Sequence, residues 1–169
     1  MLNDFLVFLI KYYGAAMVAN AMPVFIREGT PIDRGLIWVD GKRLLGNGKT
    51  WEGLCMGILG GYLAALSISI FFKDTLLFPK LWIASIAGLL GDIIESFLKR
   101  RLGIRRGDPL PLLDQLDFAI ASTIAYHLMG EFSIFDKISF IILTFTIIII
   151  LHITTNTIAY LMKLKDKPW

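Results

Sequence analysis

Apolar residues in this 169-residue chain gather into five long runs, which polar segments separate. The runs cover residues 3–23, 54–72, 80–98, 115–130 and 138–161. Because the apolar core of a bilayer needs roughly 20 helical residues, runs of this length indicate membrane spans, and the fourth is the shortest. The pattern therefore predicts an all-α, polytopic membrane helix bundle with about five transmembrane helices.

Composition supports a membrane protein with one domain. The chain is 56% hydrophobic and 18% charged, and its mean hydropathy of +0.66 is far above that of a soluble domain. Since no repeat or low-complexity linker divides it, we expect residues 1–169 to form a single integral membrane domain. The lone cysteine, Cys55, excludes an intramolecular disulfide.

Basic residues predict the orientation of the bundle. Thirteen of the 17 Lys and Arg residues lie in two connections, 24–53 and 99–114, and in the C-terminal tail. The positive-inside rule then places the N-terminus outside and the C-terminus in the cytoplasm, with both connections as cytoplasmic loops. These thirteen residues are Arg27, Arg34, Lys42, Arg43, Lys49, Lys99, Arg100, Arg101, Arg105, Arg106, Lys163, Lys165 and Lys167.

Carboxylates at the ends of two apolar runs indicate a site, because acids in a membrane are costly and usually functional. Asp92 and Glu95 share one helix face with Ser96 and Lys99, and Asp114 and Asp117 repeat the three-residue spacing. Oxygen ligands without His or Cys suit a hard cation such as Mg²⁺. The alternative is structural, in which neighbouring basic groups neutralise the acids and merely close the bundle.

A glycine-rich basic loop, residues 40–53, leads straight into the second apolar run. Glycines let a backbone approach phosphate, Lys and Arg neutralise it, and a helix start offers free N–H groups. A P-loop would need glycine where Arg43 stands, so we reject a Walker motif and keep phosphate binding. A flexible basic loop that only fixes topology remains the alternative.

Together the loop and the acids predict a class of reaction. A phosphate-binding loop beside a shallow metal site with apolar walls suits a soluble polyphosphate that meets an amphiphile. Phosphoryl or nucleotidyl transfer needs mainly positioning and charge neutralisation from a protein. We therefore expect an enzyme, and nothing in the pattern indicates nucleic acid as a partner.

Two motifs carry a family resemblance. Gly91-Asp92-x-x-Glu95-Ser96-x-x-Lys99-Arg100 with Asp114-x-x-Asp117 resembles the signature of the CTP-dependent phosphatidate cytidylyltransferases, the CDP-diacylglycerol synthases. Lys49-Thr50-Trp51-Glu52-Gly53 resembles that family's more N-terminal motif. The bacterial pattern has His-Gly-Gly before the Asp pair and Arg after its first Asp, whereas this chain has residues 109–113 and Gln115 there. That departure and the short chain resemble the archaeal branch, the CDP-archaeol synthases.

The resemblance implies a reaction and a role for each matching residue. CTP and 2,3-bis-O-geranylgeranyl-sn-glycerol 1-phosphate would give a CDP-activated lipid and pyrophosphate, with Mg²⁺ required. The orientation predicted from the basic residues would place this site at the cytoplasmic face of the cell membrane. The implied metal ligands are Asp92, Glu95, Asp114 and Asp117. The implied catalytic residues are Asp92, Asp114, Asp117, Lys49 and Lys99. The implied contacts to CTP or lipid phosphate are Lys42, Arg43, Gly46, Asn47, Gly48, Lys49, Thr50, Glu52, Ser96, Lys99 and Arg100.

Three alternatives stay open from sequence alone. The lipid could be a diacyl phosphatidate rather than an isoprenoid ether. The CDP-alcohol phosphotransferases also use intramembrane aspartates, but their signature carries more Asp and Gly than Asp114-x-x-Asp117 provides. A cation or proton transporter would also place acids within spans, although we would expect those acids near the middle of the bilayer.

Overall fold

The computed structural model describes residues 2–26, 28–105 and 107–163. Within these ranges it contains five α-helices, two short 3₁₀ helices and no strand. The α-helices are α1 (Leu2–Ala21), α2 (Trp51–Phe71), α3 (Leu77–Arg101), α4 (Leu113–Leu128) and α5 (Ile138–Leu161). The 3₁₀ helices are Met22–Phe25 and Phe132–Lys137. The predicted all-α bundle is confirmed.

Four stretches of helix are long and apolar enough to cross a membrane: Leu2–Phe25, Trp51–Phe71, Leu77–Arg101 and Phe132–Ile158. The remaining helix, α4, has only 16 residues. At about 1.5 Å per residue it is roughly 24 Å long, which is shorter than an apolar core of about 30 Å. The architecture is therefore that of a polytopic membrane bundle, with four stretches that can span a membrane and a shorter helix where the sequence predicted a fifth span.

The direction of the bundle across the membrane stays a prediction. Four of the basic residues on which it depends, Arg27, Arg106, Lys165 and Lys167, lie outside the described residues. Most of the others lie in the connection between α1 and α2 or in the last turns of α3 and the segment after it. These positions agree with the charge asymmetry used for the prediction, but they do not test which end of the bundle faces the cytoplasm.

The ends of α1 and α3 meet the beginnings of α2 and α4, since Gly57 lies against Ala19 and Leu89 and Gly91 lies against Asp117. The second half of α5 reaches the same end of the bundle, where His152 lines a cavity with Asp117. We call this end of the bundle the site end, because the acids and the basic loop both lie there. The connection from residue 28 to 50, the first loop, and the connection from 102 to 112, the second loop, both belong to it. At the opposite end, Glu131 accepts hydrogen bonds from Lys80 and Ser133. These bonds hold the pKa of Glu131 below its usual range.

Helix α3 is central and packs against α1, α2 and, most extensively, α4. Gly91 lets α3 approach α4 closely, since a Cβ there would lie 2.6 Å from the backbone oxygen of Asp117. Gly61 similarly lets α2 approach Ser85 of α3. Small residues at membrane helix interfaces permit such approaches. The acids of α3 and α4 are thereby brought close together.

Candidate active site

Three carboxylates from α3 and α4 form one compact group. One oxygen from each of Asp92, Glu95 and Asp117 can be chosen so that all three lie within 4.8 Å of one another. Glu95 is 6% exposed and Asp117 is 7% exposed, so two of the three are buried. Acids enclosed at this spacing could hold a metal ion, and we call them the acid triad.

Asp114 was predicted as a fourth ligand, but the triad does not include it. Its carboxylate accepts hydrogen bonds from Lys99 Nζ at 2.8 Å and from the backbone N–H of Leu110 at 3.1 Å. Lys99 Nζ also lies 3.4 Å from Glu95 Oε1. Asp114 therefore lies beside the triad, where Lys99 contacts both Asp114 and Glu95, and a direct role of Asp114 in metal binding stays a prediction.

The first loop is organised around a buried carboxylate. Asp33 accepts hydrogen bonds from Arg43 Nη2 at 2.5 Å and from the backbone N–H groups of Leu45, Gly46 and Gly35 at 2.9, 2.8 and 3.1 Å. Burial alone would raise the pKa of Asp33, but these hydrogen bonds outweigh it and hold that pKa well below its usual range. The carboxylate thus ties the beginning of the loop to its glycine-rich end.

A second set of bonds fixes the loop where it enters α2. Glu52 accepts hydrogen bonds from the backbone N–H of Thr30 at 2.7 Å and from its hydroxyl at 2.9 Å. The hydroxyl of Thr50 caps α2 by accepting from the N–H of Gly53 at 3.1 Å. The backbone N–H of Ile32 donates to the carbonyl of Lys49 at 2.8 Å. The loop segment before α2 is therefore fixed by hydrogen bonds both to the beginning of the first loop and to the first turn of α2.

Of the predicted phosphate-binding residues, several already have protein partners. Lys42 Nζ donates to the carbonyl of Arg101 at 3.0 Å, and Arg43 is paired with Asp33. Lys49 Nζ lies 2.5 Å from Asp92 Oδ1. This last ion pair links the first loop directly to the acid triad, as the sequence predicts for two halves of one site.

Three adjoining cavities surround that ion pair. The largest, about 380 Å³, lies between the first loop and α3 and is lined by residues 47–50, Asp92 and apolar side chains such as Leu54 and Leu89. A second, of about 180 Å³, is lined by residues 45–49, Glu95, Ser96, Lys99, Arg100 and Gly107. A third, of about 240 Å³, is lined by the triad, Asp114, Lys99 and His152. Most of the predicted site residues thus line these three cavities, which share residues of their walls.

Two residues at the site carry no clear sequence signal. Asp33 lies among turn-forming residues, and its role depends on bonds to amides that are 12 and 13 positions further on. His152 is alone in an apolar run of α5 but lines the cavity that contains the acids. Only the folded loop and the position of α5 bring these side chains to the site.

Buried acids beside a basic, glycine-rich loop, within a bundle of membrane helices, are typical of a membrane-embedded enzyme that acts on phosphate-bearing substrates. Comparison with known proteins identifies the family: its model, CarS-like: CDP-archaeol synthase, matches residues 2–169. The chain belongs to this family.

The sequences of individual relatives align with nearly the whole chain. A CDP-archaeol synthase of Staphylothermus marinus is 41% identical over 165 residues, which are 98% of this chain and 94% of that protein. One from Hyperthermus butylicus is 44% identical over 156 residues, 91% of this chain and 90% of that protein. A solved structure, described as "Structural insight into an intramembrane enzyme for archaeal membrane lipids biosynthesis", is 36% identical with a TM-score of 0.79 and covers 88% of this chain and 91% of that one.

Proposed function

We propose that this chain, which through its family is a CTP-dependent cytidylyltransferase of archaeal lipid synthesis, acts on 2,3-bis-O-geranylgeranyl-sn-glycerol 1-phosphate with Mg²⁺. The products are the CDP-activated lipid and pyrophosphate. The observation that carries the proposal is the ion pair between Lys49 and Asp92, which joins a phosphate-binding loop to a potential metal site.

The charges of the site support a divalent ion. Asp92, Glu95, Asp114 and Asp117 supply four carboxylates, and the ammonium groups of Lys49 and Lys99 contact three of them. If all four acids are ionised, two negative charges are left over, which one Mg²⁺ would balance. Mg²⁺ commonly binds one or two carboxylates together with substrate phosphates, so the triad suits it.

The reaction requires positioning more than proton transfer. An oxygen of the lipid phosphate attacks the α-phosphorus of CTP, a new P–O bond forms, and pyrophosphate departs with the electrons of the broken bond. A phosphate monoester is largely ionised at pH 7 because its second pKa is about 6, so no general base is needed. Bound Mg²⁺ supplies neutralisation of phosphate charge. Lys49 lines both the cavity of about 380 Å³ and the cavity of about 180 Å³, and there it holds the pyrophosphate portion of CTP.

An apolar cavity supports an amphiphilic substrate. About 170 Å³ of space between α3 and α4 reaches Glu95 and Asp117 at one side. The rest of its wall is glycine, alanine and the apolar side chains Ile94, Leu98, Leu113, Ile120 and Ile124. A lipid whose phosphate meets the triad would find an apolar surface directly beside it.

We further propose that the site end faces the cytoplasm, where the positive-inside rule places both basic loops.

The test is transfer of radiolabel from [α-³²P]CTP into lipid by the purified chain in detergent. We expect labelled product with the isoprenoid ether phosphate, much less with a diacyl phosphate, and none when Mg²⁺ is chelated. Asp117→Asn should abolish incorporation. Asp136→Asn, an exposed carboxylate at the opposite end of the bundle, is the matched control and should retain it. Equal use of the diacyl lipid would refute the proposed substrate, and full activity of Asp117→Asn would refute the role of the triad.

A further inference from the structure

The tip of the first loop exposes four consecutive large apolar side chains. The exposed fractions are 55% for Leu36, 62% for Ile37, 44% for Trp38 and 94% for Val39. The tip is an ordered turn, in which the N–H of Trp38 donates to the carbonyl of Lys42 at 2.8 Å. Contiguous apolar exposure of this kind marks an interaction surface, whereas single exposed apolar residues are ordinary. We call residues 36–39 the apolar tip.

The apolar tip lies against the last two turns of α3. The ring of Trp38 packs edge-on against Phe97, with 5.8 Å between the ring centroids. The guanidinium of Arg101 lies 5.1 Å from the same Phe97 ring. Arg101 also pairs with Asp40 and donates to the carbonyl of Arg43 at 2.5 Å. These contacts fix the tip at the level where α3 ends.

The face of α3 that holds the tip carries exposed apolar side chains, as expected of a surface that faces lipid. Leu90, Ile94, Phe97 and Arg101 follow helical spacing along one side of the helix. Leu90 and Ile94 are 51% and 58% exposed within a stretch long and apolar enough to span a membrane. The tip therefore lies outside the bundle, directly beyond the lipid-facing surface. Arg101 ends α3 there, and basic residues at helix ends mark the membrane interface.

We propose that the apolar tip inserts into the boundary between lipid headgroups and acyl chains at the site end of the membrane. Trp38 suits that boundary because its ring is apolar and its N–H can meet water or headgroups. Lys42 and Arg101 flank the tip, as cationic residues do in segments that bind at membrane surfaces. The membrane thus holds the far side of the same loop that Asp33 organises and that carries Lys49.

The proposal concerns membrane contact and does not depend on the lipid substrate proposed above, so its test needs no turnover. Val39→Cys in a Cys55→Ser background is labelled with an environment-sensitive NBD fluorophore, and the protein is reconstituted into phosphatidylcholine vesicles. Cys55 is exposed and would otherwise be labelled too. Glu28→Cys, an exposed position in the same loop that carries a charge in the natural chain, is the matched control.

Lipids brominated along the acyl chain should quench the label at position 39 strongly and the label at position 28 weakly. Aqueous iodide should show the reverse order. Iodide quenching at position 39 equal to that at position 28 would overturn the proposal. Protection of position 39 from both quenchers would also overturn it, because a second protein surface would then cover the tip. If Val39→Cys does not fold, Ile37→Cys takes its place, since that side chain is 62% exposed.

Discussion

Replacing Gly91 with alanine tests whether the contact between α3 and α4 sets the geometry of the acid triad. A Cβ at this position would lie 2.6 Å from the backbone oxygen of Asp117 and 2.7 Å from the Cβ of Ala121, where 3.4–4 Å is ordinary contact. Neither neighbour is the end of a flexible side chain. The helices must therefore separate by about 1 Å to admit the methyl group.

That movement would act directly on the triad. Asp92 and Glu95 belong to α3 and Asp117 belongs to α4, so separating the helices separates the proposed metal ligands. Mg²⁺ demands near-ideal octahedral geometry at about 2.0–2.1 Å and tolerates such displacement poorly. A misplacement of about 1 Å can reduce a rate on the order of 100-fold, equivalent to about 2.7 kcal/mol. Overpacking should separately cost about 1–3 kcal/mol of stability.

Gly61→Ala is the matched control, because it crowds a helix interface away from the triad. Its Cβ would lie 2.5 Å from Ser85 Oγ and 3.1 Å from the Cβ of Ala19. We expect both variants to lower the melting temperature in detergent. Only Gly91→Ala should raise the Mg²⁺ concentration that gives half-maximal incorporation of label from CTP. A folded Gly91→Ala enzyme with the wild-type Mg²⁺ requirement would show that the spacing of α3 and α4 does not control the metal site.

Three further outcomes are expected. Asp114→Asn should lose less activity than Asp117→Asn at saturating Mg²⁺, because Asp114 contacts Lys99 and lies outside the triad; equal losses would make Asp114 a ligand. Lys49→Ala should raise the KM for CTP by about 10-fold or more, since a charge-assisted hydrogen bond to phosphate contributes roughly 1.5–3 kcal/mol, and an unchanged KM would remove Lys49 from the CTP site. Asp33 has a lowered pKa in the folded chain, so its contribution to stability is fully present above the unfolded pKa of about 3.9 and is lost as pH falls toward the folded value. Asp33→Asn should therefore lower the melting temperature at pH 7 and flatten its decline below about pH 4, and a parallel decline in both proteins would contradict this assignment.

Helices could be predicted because a membrane span needs uninterrupted apolar residues and internal backbone hydrogen bonds. The run 138–161 coincides with α5, while α3 begins at Leu77 and continues through its charged last turn to Arg101, beyond the predicted range of 80–98. Hydropathy cannot show where a helix continues into polar residues. The beginning of α2 at Trp51 follows from the hydroxyl cap of Thr50, which is a local signal that the hydropathy pattern does not include.

The sequence allowed us to predict which residues form the candidate site, but not which of them contact one another. Helical spacing placed Asp92 and Glu95 on one face, and the structure brings them together with Asp117. Spacing could not show that Lys99 contacts both Glu95 and Asp114, since that depends on how the second loop returns the chain to α4. The partners of Asp33 were equally hidden, because hydrogen bonds across a loop follow its three-dimensional path.

The ion pair of Lys49 with Asp92 couples the two halves of the site. The ammonium of Lys49 lies 2.5 Å from an oxygen of Asp92, so in this arrangement it already neutralises a carboxylate that a cation in the triad would use. A phosphate group near Lys49 offers it another anionic partner and frees Asp92, while a metal ion at Asp92 frees Lys49 for phosphate. Each ligand therefore removes a competitor of the other, and linkage requires that the two effects on affinity be equal. We expect CTP and Mg²⁺ to bind cooperatively to this chain because one lysine cannot neutralise both a carboxylate and a phosphate. In thermal unfolding in detergent, the two together should raise the melting temperature by more than the sum of their separate effects, and a merely additive rise would contradict the coupling.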